Sequence, residues 1–484
     1  MWLIFFNELT LKHLLCYILF LLVNVAALAE VIDCTPGGLR ALVGEKTDMT
    51  TLTVKGDMDV SDFDFIAEQM TELTTLVIDA RIVAYKGVAT RNGSGVSQEG
   101  MIPPYALFGT SVKDLTIGDY VTSIGEAAFA GSGIETLVLG NGIRTIPASM
   151  AKDATSLRQL SLPESVNEIG EDAFEGCTSL QWVDAQGVTV IGRDAFKGCR
   201  SLTAFNFSPE LKSIGESAFA ATGLTELDLR EMTSLKTVGK MSFAECENLA
   251  AVALPEGLTT LSEGMFFGDN AITTLLLPTT LVNIETLSLA GLTSLNVTEQ
   301  VNIMAETAVE TVGDYALANW KSTQKIILPE TLTYLGDRAM QQWSALETVT
   351  IPEGMTAVPE LGNEVWANTP QEQVVLEVSS TTLAEAFKST PQWKEFIITD
   401  MSGRENIIDE ETALMVTVSG SDIILTCSVA MEKVEVYDIA GQLLHQSAPH
   451  LTTASLSASD YPSVLLIRVT TATDKTIIKK IIRK

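Results

Sequence analysis

Histidine is almost missing from this chain: His13, His445 and His450 are the whole complement among 484 residues. Catalysis of the Ser/His or Cys/His kind therefore lacks its usual base across the entire middle of the sequence. Cysteine is scarce as well. None of the six is spaced for zinc, and beyond residue 29 an odd, scattered set remains (Cys34, Cys177, Cys199, Cys246 and Cys427), which forms no disulfide framework. No glycine-rich phosphate loop opens a helix, and Gly93-Ser94-Gly95 reads as flexible surface loop. Positive charge is short: 31 Lys and Arg face 61 Asp and Glu, a formal net charge of −30. Residues 404–484 hold 8 basic and 10 acidic side chains, so −2 of that total belongs there and −28 to the rest. Such a field disfavours nucleic acid and anionic membrane, and it keeps a long apolar array soluble. Carboxylate pairs are unavoidable in so acidic a chain and single out no active site. The expectation is a protein that is not an enzyme and carries no cofactor or metal.

Long apolar runs are missing too, apart from one. Lys12 and His13 precede the unbroken run Leu14–Val23, and Ala27-Leu28-Ala29 supplies a small-x-small cleavage site. Residues 1–29 are therefore expected to be a secretory signal. Leu15 stands where a lipoprotein signal at Cys16 would need a small residue. No second span follows, so the expectation is an exported, soluble chain at the cell surface or beyond it.

What the sequence has in quantity is repetition. A small apolar–Gly step recurs at Ile124-Gly125, Ile146, Ile169-Gly170, Ile191-Gly192, Ile214-Gly215, Val238-Gly239, Leu261, Ile284, Val312-Gly313, Leu335-Gly336 and Val358, with gaps of 22, 23, 22, 23, 24, 23, 23, 28, 23 and 23. A fixed period of this size marks a stacked solenoid. Within Ile169–Val183 the apolar set is Ile169, Ala173, Phe174, Cys177, Leu180 and Val183, and the next unit repeats it. Gly170 and Gly192 are expected at sharp turns. Triplets such as Leu160-Ser161-Leu162, Val183-Asp184-Ala185, Phe205-Asn206-Phe207 and Leu227-Asp228-Leu229 read as short strands with the middle residue facing out. Stacked coil on coil, they predict one parallel sheet, with short helices or turns opposite. Phe129, Phe174, Phe196, Phe219, Phe243 and Phe266 fall in one column, expected as a core spine rather than an aromatic ligand box. Cys177 and Cys199 fall on adjacent coils, as bonded partners or as buried free thiols.

These units resemble the BspA-like leucine-rich repeats of bacterial surface proteins, whose pattern is I-G-x-x-A-F-x-x-C-x-x-L-x-x-L-x-L-P. Ile169–Leu180, Ile191–Leu202 and Ile214–Phe219 match it well. Later units drift: Leu287 and Leu289 are read in place of the Ala-Phe step, Met340 takes the Phe place, and Ser294–Val312 carries an insertion of helical character. The resemblance implies a leucine-rich-repeat solenoid with capped ends. Leu52–Asp79 is similar to the family's amino-terminal strand–helix–strand cap, and Thr382–Ile398 to its closing helix and Trp-x-x-Phe-x-Ile strand. The expected layout is a signal at 1–29, a capping region at 30–100, the solenoid with its closing cap at 101–400, a polar linker at 401–411, and a small β-sandwich at 412–484.

In that last region, strands are expected at Leu414–Val418, Ile423–Cys427, Val434–Tyr437, Gln442–His445, Thr453–Leu456, Val464–Val469 and Thr476–Ile482. The segment around Val434, Val436, Tyr437, Asp438 and Gly441 resembles the type A sorting domains of type IX secretion, as does the strand after Tyr461. Ser463 and Leu465 depart from that pattern. The resemblance implies engagement of the secretion machinery; an ordinary appended sandwich is the alternative.

Alternation aims Gln159, Ser161, Trp182, Asp184, Asn206, Glu226 and Asp228 outward on neighbouring strands. A Trp among polar residues is a candidate hot spot for a protein or other macromolecular ligand, or an incidental surface residue. The family resemblance implies adhesion, for example to host extracellular matrix. The rival reading is a structural surface spacer without a ligand. Carbohydrate capture would need a row of outward aromatics, and the strands offer one Trp.

Overall fold

The computed structural model describes residues 30–86, 96–295, 304–401, 414–419, 422–438, 442–457, 461, 464–472 and 476–482. The expected signal, the Gly93–Gly95 loop and most of the 401–411 linker lie outside them. The chain divides into two compact units, one ending at Ile143 and the other running from Arg144.

In the first unit the parallel strands Glu30–Cys34, Thr51–Met58, Thr75–Ile82, Asp114–Ile117 and Thr136–Val138 pair in sequence order. The expected strand–helix–strand cap is there, with the helix at Val60–Gln69. Asp59 caps that helix, and the buried Asp62 carboxylate accepts from the backbone N–H groups of Asp59, Gly37 and Leu39. One carboxylate thus fastens the helix start to the preceding loop. The strand Glu30–Cys34 and the short helix Leu39–Val43 precede this cap, inside the region 30–100. A coil earlier than Ile124 is also present: Met101–Ile102 pairs with Ser123–Ile124. Pro103-Pro104 in place of Gly concealed it.

From Arg144 to Leu361 most coils contribute an inner strand and then a two-residue back strand; among the described residues no inner strand lies between Asn283–Ile284 and Thr311–Val312. The inner strands form three parallel ladders. The first joins Gln159–Ser161, Trp182–Ala185 and Ala204–Phe207, and the second Glu226–Asp228, Ala251–Ala253 and Thr274–Leu276. The third joins Lys325–Ile327, Thr348–Ile351, Val375–Val378 and Ile397–Asp400. The back strands form two ladders, from Thr145–Ile146 to Thr237–Val238 and from Thr260–Leu261 to Glu360–Leu361. Turns link the two, and no α-helix occurs between Gln69 and Thr381 among the described residues. The Ile of each Ile-Gly step therefore ends a strand.

That moves the reason for the glycine. A Cβ on Gly170 would sit 2.8 Å from the carbonyl oxygen of Ile146 and 2.9 Å from the nitrogen of Ala148. The glycines are kept by the close approach of the neighbouring coil, while the left-handed backbone falls two residues later on non-glycine residues, including Asp172 (φ 56°), Asp194 (φ 52°) and Arg338 (φ 52°). Leu287 (φ 58°) holds that turn place, so Ser288 and Leu289, not Leu287 and Leu289, fill the Ala-Phe step. The last anchor is Leu361-Gly362, paired in register with Leu335, and not Val358. Three extra residues precede it. The Ser294–Val312 insertion shows no helix from Met304 on; it is turn and loop up to the strand Thr311–Val312, and 296–303 lie outside the described residues. Asn283 still pairs with Thr311, so the ladder passes it in register.

The core is the predicted spine. Phe174, Phe196, Phe219, Phe243 and Phe266 are fully buried and stack at centroid separations of 5.3, 5.4, 5.4 and 5.7 Å, with rings within 13° of parallel. Where that column shrinks to Leu317 and Met340, the column three residues on swells to Trp320 and Trp343, stacked at 5.2 Å. In these two coils the second column makes up the volume that the first gives up. The array closes on the amphipathic helix Thr381–Ser389 and the strand Ile397–Asp400, as expected.

The carboxy-terminal strands are antiparallel. Two expected strands are one: Asp422–Tyr437 runs unbroken for 16 residues. Its first half pairs with Leu414–Ser419 and Leu451–Ser457, its second with Leu443–Ser447 and Val464–Thr471. Ile423, Leu425, Val434, Val436, Leu465 and Ile467 form its core.

Candidate functional site

Strand register brings the predicted surface residues together in two groups. Gln159 lies beside Trp182, and Ser161, Asp184 and Asn206 follow one another across the first inner ladder. Gln159 and Ser161 are exposed, and Trp182 and Asn206 are half-buried. Asp184 is only 8% exposed and accepts a hydrogen bond from Asn206 Nδ2 at 2.8 Å. Its carboxylate is thus engaged along the ladder rather than offered outward. Glu226 and Asp228 are exposed on the second ladder. Among the described residues no backbone pairing joins Ala204–Phe207 to Glu226–Asp228. The patch is therefore split between two ladders.

The phenylalanines on either side of Asn206 account for the split. Phe205 and Phe207 point inward and meet Phe219 of the next coil edge-on, at 5.0 and 5.5 Å, and each stays half-buried. Neighbouring coils place Leu, Val or Ala there, so two rings crowd the step at which pairing lapses. Beyond it Arg230 closes over Asp228, with Nε 2.8 Å from Oδ1. Arg230 lies past the strand, so alternation does not announce this fork–fork pair; it leaves Glu226 as the surface carboxylate of the two. Ala251 and Ala253 continue the face without side chains that reach out.

Two clefts lie on the turn side. The larger, about 1130 Å³, is bordered by Tyr315, Asp337, Arg338, Asn363, Glu364 and Gln392. Most of its polar groups are engaged with neighbours: Arg338 Nε donates to Glu364 at 2.9 Å, Asn363 donates to Asp337, and Gln392 bonds the Val365 N–H and the Gly362 carbonyl, while the buried Nε1 of Trp366 has no hydrogen-bond partner among the described residues. Those Asn363 hydrogen bonds also hold the Asp337 carboxyl below its usual range. The smaller, about 400 Å³, is bordered by Tyr334, Asn283 and Thr311, the last donating to Asn283 at 2.7 Å. Among the described residues no group of three His, Cys, Asp or Glu side chains is placed to hold a metal ion.

Cys177, Cys199 and Cys246 are buried free thiols. Their Sγ atoms donate to the carbonyls of Ala151, Phe174 and Phe219, each at 3.2 Å. Burial pushes Cys177 and Cys246 up to about 12, which makes them inert as nucleophiles.

In the carboxy-terminal region Val434 and Val436 are fully buried and Tyr461 packs on the core. Tyr437 and Asp438 are half-buried, and Asp438 accepts from the Gln442 N–H at 2.8 Å; Gly441 lies outside the described residues.

Compared with known proteins, residues 99–187, 185–296 and 294–405 match the model of the BspA type leucine rich repeat region, in six copies. The chain belongs to the BspA-type leucine-rich-repeat family. A second model, a domain of unknown function (DUF8694), covers residues 402–483. A leucine-rich repeat protein from Bacteroides ovatus superposes with a TM-score of 0.55 at 18% identity, over 72% of this chain and 84% of that one. A leucine rich cell surface protein from Faecalibacterium prausnitzii matches at 19% identity over 64% of this chain and 84% of its own, with a TM-score of 0.37. The pneumococcal vaccine antigen PcpA matches at 14% over 76% and 91%, with a TM-score of 0.30. No curated protein matches the chain. Of the solved relatives, the Bacteroides protein supports the fold of this BspA-type chain and nothing narrower.

Proposed function

We propose that this BspA-type protein is exported and binds a macromolecular partner, most simply a protein, through the inner face of its first ladder in the second unit. The observation that carries this reading is the register-matched patch Gln159, Ser161, Trp182 and Asn206, with a half-buried Trp beside the exposed Gln159 and Ser161. Such a setting suits an anchor residue, with aromatic area at the centre and hydrogen-bonding groups at the rim. Export rests on the apolar run and small-x-small site within residues 1–29. Residues 412–484, with Val434, Val436 and Tyr437 in their long strand, would engage the secretion apparatus. Among the described residues no helix is long and apolar enough to cross a membrane.

The test is capture of extracellular-matrix and plasma proteins on the immobilised full chain and on Trp182→Ala. A hot spot loses roughly 2 kcal/mol or more on truncation, about a thirtyfold or greater fall in affinity. Equal capture by both chains moves the site elsewhere. Self-association with no capture favours the structural spacer.

A further inference from the structure

In the column occupied by Cys177, Cys199 and Cys246 six side chains donate across to the preceding coil. Besides the three thiols, Trp320 and Trp343 donate through Nε1 to the carbonyls of Leu289 and Leu317, at 2.8 and 2.7 Å, and Thr369 donates through Oγ1 to Met340 at 3.3 Å. In each case the acceptor is the carbonyl at the Phe position of the preceding coil.

Asp269 holds this column in the coil anchored at Leu261, where the acceptor in line is the carbonyl of Phe243. Asp269 is fully buried. Its Oδ1 accepts from the Cys246 N–H at 2.7 Å, whereas Oδ2 is buried without a partner. In the coils of Cys177 and Cys199 that N–H closes onto the Phe carbonyl of its own coil, at Phe174 and Phe196, whereas the Trp343 N–H goes, as here, to the next residue of the column, Thr369 Oγ1 at 3.2 Å, which itself donates to Met340. Here it is diverted, and the Phe243 carbonyl has no hydrogen-bond partner among the described residues. A carboxylate cannot donate; a carboxylic acid can.

The same step is the one at which the back ladder breaks. Thr237–Val238 and Thr260–Leu261 are not paired, although the ladders on either side are. Elsewhere the backbone N–H after the anchor bonds the previous anchor's carbonyl, as Gly239 does to Ile214 and Glu285 to Leu261. At this step the Ser262 hydroxyl takes that role toward Val238, at 2.5 Å.

We propose that Asp269 is carried as the neutral acid, its Oδ2–H donating to the Phe243 carbonyl, and that the step from Val238 to Leu261 is a proton-dependent joint in the solenoid. Burial, reinforced by the charge of Glu245, pushes the Asp269 carboxyl up to about 8. The titratable groups facing it are Glu245 and Cys246 of the preceding coil; the following coil puts Leu292 in the column. Because the folded value lies above the unfolded value of 3.8, the contribution is complete below about pH 4 and is lost as pH rises toward 8. Each pH unit in that window costs about tenfold in the folding equilibrium. The joint therefore tightens in acid and slackens in mildly alkaline surroundings.

The test compares the full chain with Asp269→Asn and Asp269→Cys, the second restoring the donor of the neighbouring coils. Melting temperatures are measured from about pH 4 to 9, together with the infrared carbonyl stretch of a protonated acid. The stability difference between the Asp269→Asn variant and the native chain should change steadily with pH in the variant's favour and level off above about 8. The acid band should be present at about pH 6 and missing from both variants. A difference that is constant with pH, or an acid band equally strong without Asp269, overturns the proposal. If one variant fails to fold, the other carries the comparison.

Discussion

Phe219 shows how much one side chain can be asked to do in this array. It stacks on Phe196 and Phe243 and meets Phe205 and Phe207 edge-on. Removing the ring in Phe219→Ala should cost about 3–5 kcal/mol, read as a lowered denaturant midpoint, with Phe205→Ala milder because Phe205 is half-buried. The column thiols give a second expectation. With Cys177 and Cys246 pushed up to about 12 and buried, a thiol reagent at about pH 7–8 should leave both unmodified in the folded chain and label them on unfolding. Labelling of the native chain at either would contradict the burial described. At this scale the sequence was legible where volume repeats, which is why the Phe column could be read directly. It was misleading where backbone decides: Gly170 looked like a turn residue but answers to its neighbour coil, and Val358 looked like an anchor because it shares the period, although Leu361 has the partner.

Elements of this fold are set by what covers their edges. The closing helix Thr381–Ser389 buries Leu383, Ala384 and Phe387, and Phe387 meets Trp393 at 5.1 Å and 90°. Trp393 in turn contacts Trp366, the last large side chain of the Phe column. Trp393→Ala should therefore unfasten the cap and destabilise by about 3–5 kcal/mol, with protease sensitivity appearing first after Val378. Cleavage beginning in the central coils instead would mean the cap does not guard this end. Helix and strand here were readable from amphipathic spacing and the Trp-x-x-Phe-x-Ile pattern. The two-residue back strands were not, because a pair of residues has no period to detect. Nor was the merger of Ile423–Cys427 with Val434–Tyr437, since the intervening residues carry no alternation that a sequence could advertise. The candidate surface was half legible: alternation placed Gln159, Ser161 and Trp182, but the Asp184–Asn206 bond and the lapse in pairing beside Phe207 depend on neighbours in space.

For the whole molecule, a net charge of −30 is a standing repulsion that a stacked array must overcome. Salt screens it within about 10 Å at 0.1 M, so the melting temperature should rise between about 10 and 150 mM sodium chloride. A fall over that range would point instead to ion pairs, such as Lys240–Glu263 at 2.6 Å, as the dominant electrostatic contribution. Cooperativity follows from the same stacking, because no coil encloses a core alone.

The reciprocal sizes of two neighbouring columns carry a consequence for how such a chain can change. The coils of Phe174, Phe196, Phe219 and Phe243 pair a large ring with a small thiol or hydroxyl, while the coils of Leu317 and Met340 pair an aliphatic with an indole. A duplicated or transplanted unit would fit beside its own kind and leave a void or a clash at the other boundary. Insertion within a class is thus the easier route for growth, and the Leu289–Leu292 coil, modest in both columns, stands between the two classes.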